Sequence, residues 1–152
     1  MHELLRLINL LEDQITMNDK ENNTISSAKT GWHIQHSLLV INSIVNALKQ
    51  SNPANYHWKF NLNRVFIFTI NKIPRGKGKA PKAVQPKAEI THNVLHESVA
   101  LAKINVHLLG SLHKNQYFLH PYFGHLNVKS TVKFLKIHTK HHLKIINDIL
   151  KA

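Results

Sequence analysis

Cysteine is absent from this sequence of 152 residues, and only eight residues are acidic. Without cysteine the chain can form no disulfide, no thiolate zinc site and no redox dithiol. No run approaches about 18 uninterrupted apolar residues, so we expect no membrane-spanning segment. The N-terminus does not resemble a signal peptide, because Glu3 stands where a positive region is needed and Glu12 ends the first apolar stretch. We therefore expect a cytoplasmic protein with no membrane partner.

The size and apolar content of the chain favour one folded domain over residues 1–152. Hydrophobic residues make up 43% of the sequence and charged residues 18%. That is enough apolar material to build a core, and too little charge for an intrinsically disordered chain. Any chemistry must come from residues other than cysteine, and thirteen of those residues are histidine.

The net charge of +12 is concentrated in one stretch. Half of it comes from six basic residues with no acidic residue among them: Lys72, Arg75, Lys77, Lys79, Lys82 and Lys87. Such a stretch is most simply a solvated loop. It can also contact phosphate, a membrane surface or an acidic partner. Binding of nucleic acid or another polyanion through the Lys72–Lys87 loop is the alternative function that the sequence leaves open.

Apolar residues recur at helical spacing through most of the chain. They predict four principal helices, over about residues 2–16, 29–50, 89–114 and from Asn127 or Ser130 to Leu150. The segment 58–72 suits a helix or a strand, and we favour a helix because no second strand candidate is available to pair with it. Prolines and glycines make 73–87 a loop, and 115–126 is expected to be an ordered connection. The expected fold is all-α, a four-helix bundle with a basic insertion at about 73–88 between helices two and three.

Two histidines interrupt the apolar stripe of the last predicted helix. His138 and His142 occupy positions where Leu or Ile would be expected. Residues four apart on a helix have Cβ atoms roughly 5–6 Å apart, so both rings can reach one small ion. His141 belongs to a flanking row and is less expected to point inward. The alternative is a pair of buried neutral histidines, each hydrogen-bonded to a neighbour.

A metal site usually needs a third protein ligand. His36 is the best candidate, because it lies on an apolar face of the second helix together with Trp32, where an unpaired polar ring would cost free energy. His33 lies nearer the start of that helix and is expected to face solvent. His92 and His96 form another pair four residues apart, but they lie off the apolar stripe of the third predicted helix.

Three segments carry a resemblance to a known superfamily. Trp32–Leu38 is similar to the W-x-x-x-H-x-L signature in the second helix of the DinB/YfiT-like superfamily. His120–Gly124, with the sequence H-P-Y-F-G, and His138–Leu143, with the sequence H-T-K-H-H-L, resemble one uncharacterised branch of it. The order and approximate spacing of the three segments match over about residues 1–150.

The resemblance implies a four-helix bundle that often dimerises and binds zinc, nickel or a similar ion. The ligands implied residue by residue are His36, His138 and His142, and characterised relatives are thiol transferases or hydrolase-like enzymes. Three neutral imidazoles around a divalent transition metal, most simply Zn or Ni, leave a position open where water or a thiol can be activated. The substrate, a small molecule, and the catalytic residues stay open. Glu97 and Asp148 are either outer partners of the ligand rings or exposed helix residues.

Overall fold

The computed structural model describes residues 1–76, 81–86 and 89–151. Within these residues the chain forms five α-helices, three short 3-10 turns and one pair of strands. The helices are α1 His2–Glu12, α2 Thr30–Gln50, α3 Leu62–Ile70, α4 His92–Leu108 and α5 Val128–Lys151, and the strands are β1 Tyr117–His120 and β2 Gly124–Asn127. The protein is therefore mostly helical, with a small antiparallel sheet. No helix in the described residues is long and apolar enough to cross a membrane.

The helices lie where apolar spacing predicts them, with shorter ends. The first ends at Glu12 and is followed by a separate 3-10 turn at Ile15–Met17. The ambiguous segment 58–72 is helical only over Leu62–Ile70, where the Asn61 side chain accepts a hydrogen bond from the Arg64 backbone N–H and caps the first turn. The predicted third helix is α4, which ends at Leu108 rather than near residue 114.

The ordered connection predicted at 115–126 contains an antiparallel hairpin, which the sequence did not predict. Tyr117 pairs with Asn127 and His120 with Gly124. Each strand has only four residues and shows no clear alternation, so its pattern is too short to predict a strand. Gly124 adopts a φ of +69° at the end of the turn, a conformation that glycine accepts without strain. Tertiary packing of the hairpin, including fully buried Leu126, stabilises it.

The core is built from the apolar stripes of the four long helices. Helix α2 packs against α4 and α5, and α1 packs against the same two helices. The predicted stripe residues are buried, including Leu4 and Ile8 of α1, Ile34 and Leu38 of α2, and Leu95 of α4. The N-terminal third of α2 lies against the middle of α5. This packing brings the histidines of the two helices together.

Parts of the predicted basic loop are tied to the helices. Arg75 forms an ion pair with Asp148 of α5 at 2.5 Å, and Val84 is half-buried against α2. Both contacts differ from a fully solvated loop. Lys77, Lys79 and Lys87 lie outside the described residues. Polyanion binding through the Lys72–Lys87 loop therefore stays a prediction.

Candidate metal centre

Three histidines from two helices form the centre of the candidate site. His36 comes from the N-terminal third of α2, and His138 and His142 come from successive turns of α5. One ring nitrogen from each residue lies within 4.8 Å of the others. The ring centroids are 5.1 Å apart for His36 and His138 and 4.6 Å apart for His138 and His142. These three residues, which the sequence selects, lie close enough to bind one metal ion.

Helix geometry explains why these rings converge. Residues 138 and 142 are one turn apart, so both project from the same face of α5. His36 and His142 are buried, and His138 is half-buried with its Nδ1 atom sealed from solvent. Trp32 stacks on His36 with ring centroids 4.9 Å apart, and Phe134 lies 5.6 Å from His138. Aromatic rings therefore form part of the wall around the histidines.

The hydrogen bond of His36 fixes which nitrogen can act as a ligand. Its Nδ1 atom lies 2.7 Å from the backbone carbonyl oxygen of Val84. A carbonyl only accepts, so Nδ1 must carry the proton and donate. Neutral imidazole carries one proton, and Nε2 of His36 is left with a free lone pair. A metal-binding histidine usually donates a hydrogen bond from the ring nitrogen that does not bind the metal. That bond orients the ring and selects its tautomer.

His33 makes the corresponding contact with His142, which sequence reasoning did not foresee. His33 is 4% exposed rather than facing solvent. Its Nδ1 atom lies 3.1 Å from Nδ1 of His142, and its Nε2 atom lies 2.9 Å from Oγ of Ser26. If His142 binds through Nε2, its Nδ1–H donates to His33, and His33 donates through Nε2–H to Ser26. The signal in the sequence was the spacing of three between His33 and His36, which places them on neighbouring parts of one helix face.

The surroundings of the His138 ring indicate whether this cluster suits a metal. Nδ1 of His138 is buried and has no hydrogen-bond partner among the described residues. A buried polar atom without a partner costs about 1–3 kcal/mol, and an ion bound by His138 would give the ring a partner. The three imidazoles are also the nitrogen donors that Zn and Ni accept. The residues present therefore fit a divalent transition metal.

Burial keeps the three imidazoles neutral. It is the largest cause that lowers the pKa of His36, and the Val84 hydrogen bond opposes it only in part. Burial also lowers the pKa of His138 and of His142 well below the ordinary value, and the neighbouring imidazoles lower both further. Neutral imidazole is the form that binds metal, so little proton release is needed at neutral pH.

The other predicted candidates lie outside this centre. His141 is half-buried, with its ring edge against His142, and it does not belong to the group of three. His92 and His96 are exposed on α4. Asp148 pairs with Arg75. Glu97 is exposed on α4, as one of its two interpretations predicts.

The segment His120–Gly124 forms the turn of the hairpin. Nδ1 of His120 accepts hydrogen bonds from the backbone N–H groups of Tyr122 and Phe123. Its ring stacks on Phe123 at 4.2 Å and lies 4.6 Å from Phe134, one turn before His138. The segment therefore supports α5 beside the site.

Comparison of this chain with family models, with curated proteins and with solved structures gives no match.

Proposed function

We propose that this protein is a metal-dependent enzyme of the DinB/YfiT-like type. In this proposal its helices form a four-helix bundle that holds a divalent transition metal, Zn or Ni, through His36, His138 and His142. One observation carries the proposal: a ligand nitrogen from each of these residues lies within 4.8 Å of the others. The reaction belongs to the hydrolase or thiol transferase class, with a small molecule as substrate.

In such an enzyme the residues of the site have different roles. A metal held by three neutral imidazoles keeps its charge and an open position, and it lowers the pKa of water or of a thiol substrate. His36, His138 and His142 hold the ion. Val84 orients His36, and His33 orients His142. Trp32 shields the His36 ring from water on one side.

The first experiment measures metal content by elemental analysis of untagged protein purified without chelator. We expect about one transition metal per chain, and none in a His138→Ala/His142→Ala double variant. The matched control is His92→Ala/His96→Ala, which removes a pair with the same spacing from an exposed face of α4. Full metal in both variants, or no metal and no uptake of Zn or Ni by the native chain, would reject the proposal.

Turnover is tested next with the metal-loaded protein. Thiol-transfer and hydrolytic substrates are screened with the native chain and with the double variant. Activity should disappear with a chelator and return with Zn or Ni, while the His92→Ala/His96→Ala control keeps it. Metal binding without turnover on any substrate of either class would leave a metal-binding protein and overturn the enzyme assignment.

A further inference from the structure

The outer side of α3 exposes large apolar side chains. Trp58 and Phe60, just before the helix, are each 64% exposed, and Leu62 and Phe66 are 72% and 58% exposed. Scattered apolar residues are normal on protein surfaces, but a contiguous group usually marks a contact surface. We call this group the α3 apolar face, and its members are Trp58, Phe60, Leu62, Val65, Phe66 and Ile70.

Helical spacing explains why the members of this group within α3 form one face. Leu62, Phe66 and Ile70 are four residues apart and lie along one side of α3. Ile67 and Arg64, on the other side, are buried against the rest of the protein. The helix therefore has one side that packs on the protein and one apolar side that is not covered within the described residues.

Arg64 holds this segment in place. Its buried guanidinium donates hydrogen bonds to the backbone carbonyls of Phe123, His125 and Lys59. The same guanidinium lies 5.5 Å from the ring centroid of Trp58. Asn61 donates a further hydrogen bond to the carbonyl of Tyr122, whose side chain is 54% exposed. The apolar face is thus presented by a segment fixed to the hairpin.

The segments that build this face carry charge of one sign, and Glu3 of α1, which lines a cavity with Phe68 and Lys133, is paired with Lys136 and Lys140. No Asp or Glu occurs between Glu21 and Glu89, a stretch that carries ten Lys and Arg, and none occurs between Glu97 and Asp148. All the segments that build the surface, α3, the hairpin and the first turns of α5, therefore lack carboxylates. Exposed lysines that form no ion pair with a described residue flank it: Lys59, Lys72, Lys129 and Lys133. The Lys133 ammonium lies 5.3 Å from the ring centroid of Phe68 of α3.

We propose that the α3 apolar face docks this protein on the surface of a membrane that contains anionic lipid. The aromatic and aliphatic side chains would enter the boundary between headgroups and acyl chains, and the lysines would pair with lipid phosphates. This proposal replaces the expectation of no membrane partner. It does not depend on the metal site.

Charge and side-chain chemistry favour lipid over a second copy of the chain or single-stranded nucleic acid as the occupant of the α3 apolar face. In a symmetric contact between two copies the same surface meets itself, so lysines would face lysines, and the nearby carboxylate of Glu3 is already paired with Lys136 and Lys140. Single-stranded nucleic acid would stack its bases on Trp58 and Phe60. It would leave the aliphatic side chains of Leu62, Val65 and Ile70 without a role. A lipid surface uses both the apolar and the basic groups.

The test is flotation of the full-length protein with two kinds of vesicle. One is pure phosphatidylcholine, and the other also contains phosphatidylglycerol. We expect binding to the anionic vesicles, with weaker binding to the neutral vesicles and at high salt. Leu62→Ser/Phe66→Ser should lower the partition coefficient at least about tenfold, because two apolar side chains no longer leave water. The matched control is Leu101→Ser/Ile104→Ser on α4, whose side chains are 50% and 58% exposed, and it should bind like the native protein.

A second readout reports on Trp58 alone. The chain has two tryptophans, so a Trp32→Phe variant leaves Trp58 as the only indole, and its emission should shift to shorter wavelength on anionic vesicles. Circular dichroism verifies that each variant is folded. No binding to anionic vesicles, or equal loss in both double variants, would overturn the proposal. Self-association in sedimentation that only Leu62→Ser/Phe66→Ser removes would replace lipid by a second copy. Oligonucleotide binding lost only in that variant would assign the face to nucleic acid.

Discussion

The Nδ1 atom of His36 donates a hydrogen bond to the backbone carbonyl of Val84 at 2.7 Å. This bond joins the N-terminal third of α2 to the loop before α4, across 48 positions of sequence. It also decides the tautomer of the ring, because the carbonyl can only accept. The loop thus contributes to the site although none of its side chains belongs to the group of three histidines.

The tautomer of His36 can be observed directly. At pH 7.5 without metal, long-range ¹H–¹⁵N spectra should show His36 protonated at Nδ1 and bare at Nε2. Addition of zinc should shift the Nε2 resonance and leave the Nδ1 proton in place. A His36→Gln variant identifies the signals. A bare Nδ1 in the metal-free protein would contradict the assignment.

His33 is expected to act on the metal through His142. A partner that orients a metal ligand typically changes metal affinity by about 10–100-fold. His33→Ala should therefore weaken zinc binding by that factor, measured by competition with a chromophoric chelator. It should leave the stoichiometry at saturating zinc unchanged.

Rescue separates orientation from a general loss of structure. Asn at position 33 keeps an acceptor near the place of Nδ1, so His33→Asn should recover a large part of the affinity that His33→Ala loses. Ser26→Ala removes the outer end of the chain of hydrogen bonds and should have a smaller effect. Equal affinity in the native protein and in His33→Ala would show that His33 only packs.

The long helices and two of the three clustered histidines could be predicted from periodicity. The stripes of α1, α2 and α4 are complete, and each residue of a complete stripe reports on the same buried face. His138 and His142 stood out because they interrupt the stripe of α5. The third histidine of the cluster, His36, followed from its apolar surroundings on α2. For these residues, burial follows from the spacing of apolar residues along their own helix.

The outer contacts could not be predicted in the same way. The partner of His36 is a backbone carbonyl, which every residue carries, so Val84 has no signature. The contact between His33 and His142 depends on the rotation of α2 against α5, a tertiary property. The hairpin at Tyr117–Asn127 was missed because four-residue strands show too few positions for alternation, and Arg64 links it to α3 through carbonyls.

A stability gain should accompany the loss of metal binding when His138 is replaced by leucine. Nδ1 of His138 is buried without a partner in the part of the chain that the structure describes, so His138→Leu should raise the free energy of unfolding of the metal-free protein by about 1–3 kcal/mol. The measurement is urea denaturation in the presence of a chelator. The exposed control His92→Leu should change stability by less than about 0.5 kcal/mol.

Zinc should reverse the order of stability of the native protein and His138→Leu. An ion that binds only the folded chain adds to its stability, so saturating zinc should stabilise the native protein and His92→Leu but leave His138→Leu unchanged. Destabilisation of the metal-free protein by His138→Leu would mean that Nδ1 has a partner in solution. A zinc response in His138→Leu would remove His138 from the ligand set.

His120 should make the stability of the protein depend on pH. Burial lowers the pKa of His120 to about 4, against an ordinary value of 6.5. Below pH 6.5 His120 binds a proton in the unfolded chain but not in the folded chain, so acid favours unfolding. The destabilisation grows as the pH falls from 6.5 to about 4 and then levels off. Its slope is at most about 1.4 kcal/mol per pH unit for one histidine.

A variant without the titrating group isolates this contribution from that of the other histidines. In His120→Asn the amide oxygen can accept the two backbone hydrogen bonds that Nδ1 accepts from Tyr122 and Phe123. The lost ring contacts with Phe123 and Phe134 lower stability by the same amount at every pH. Urea denaturation from pH 4 to 8 should therefore give two curves that run parallel above pH 6.5. Below that pH the native protein should lose stability faster than His120→Asn. Curves that stay parallel down to pH 4 would show that His120 titrates normally and that its ring is accessible to water.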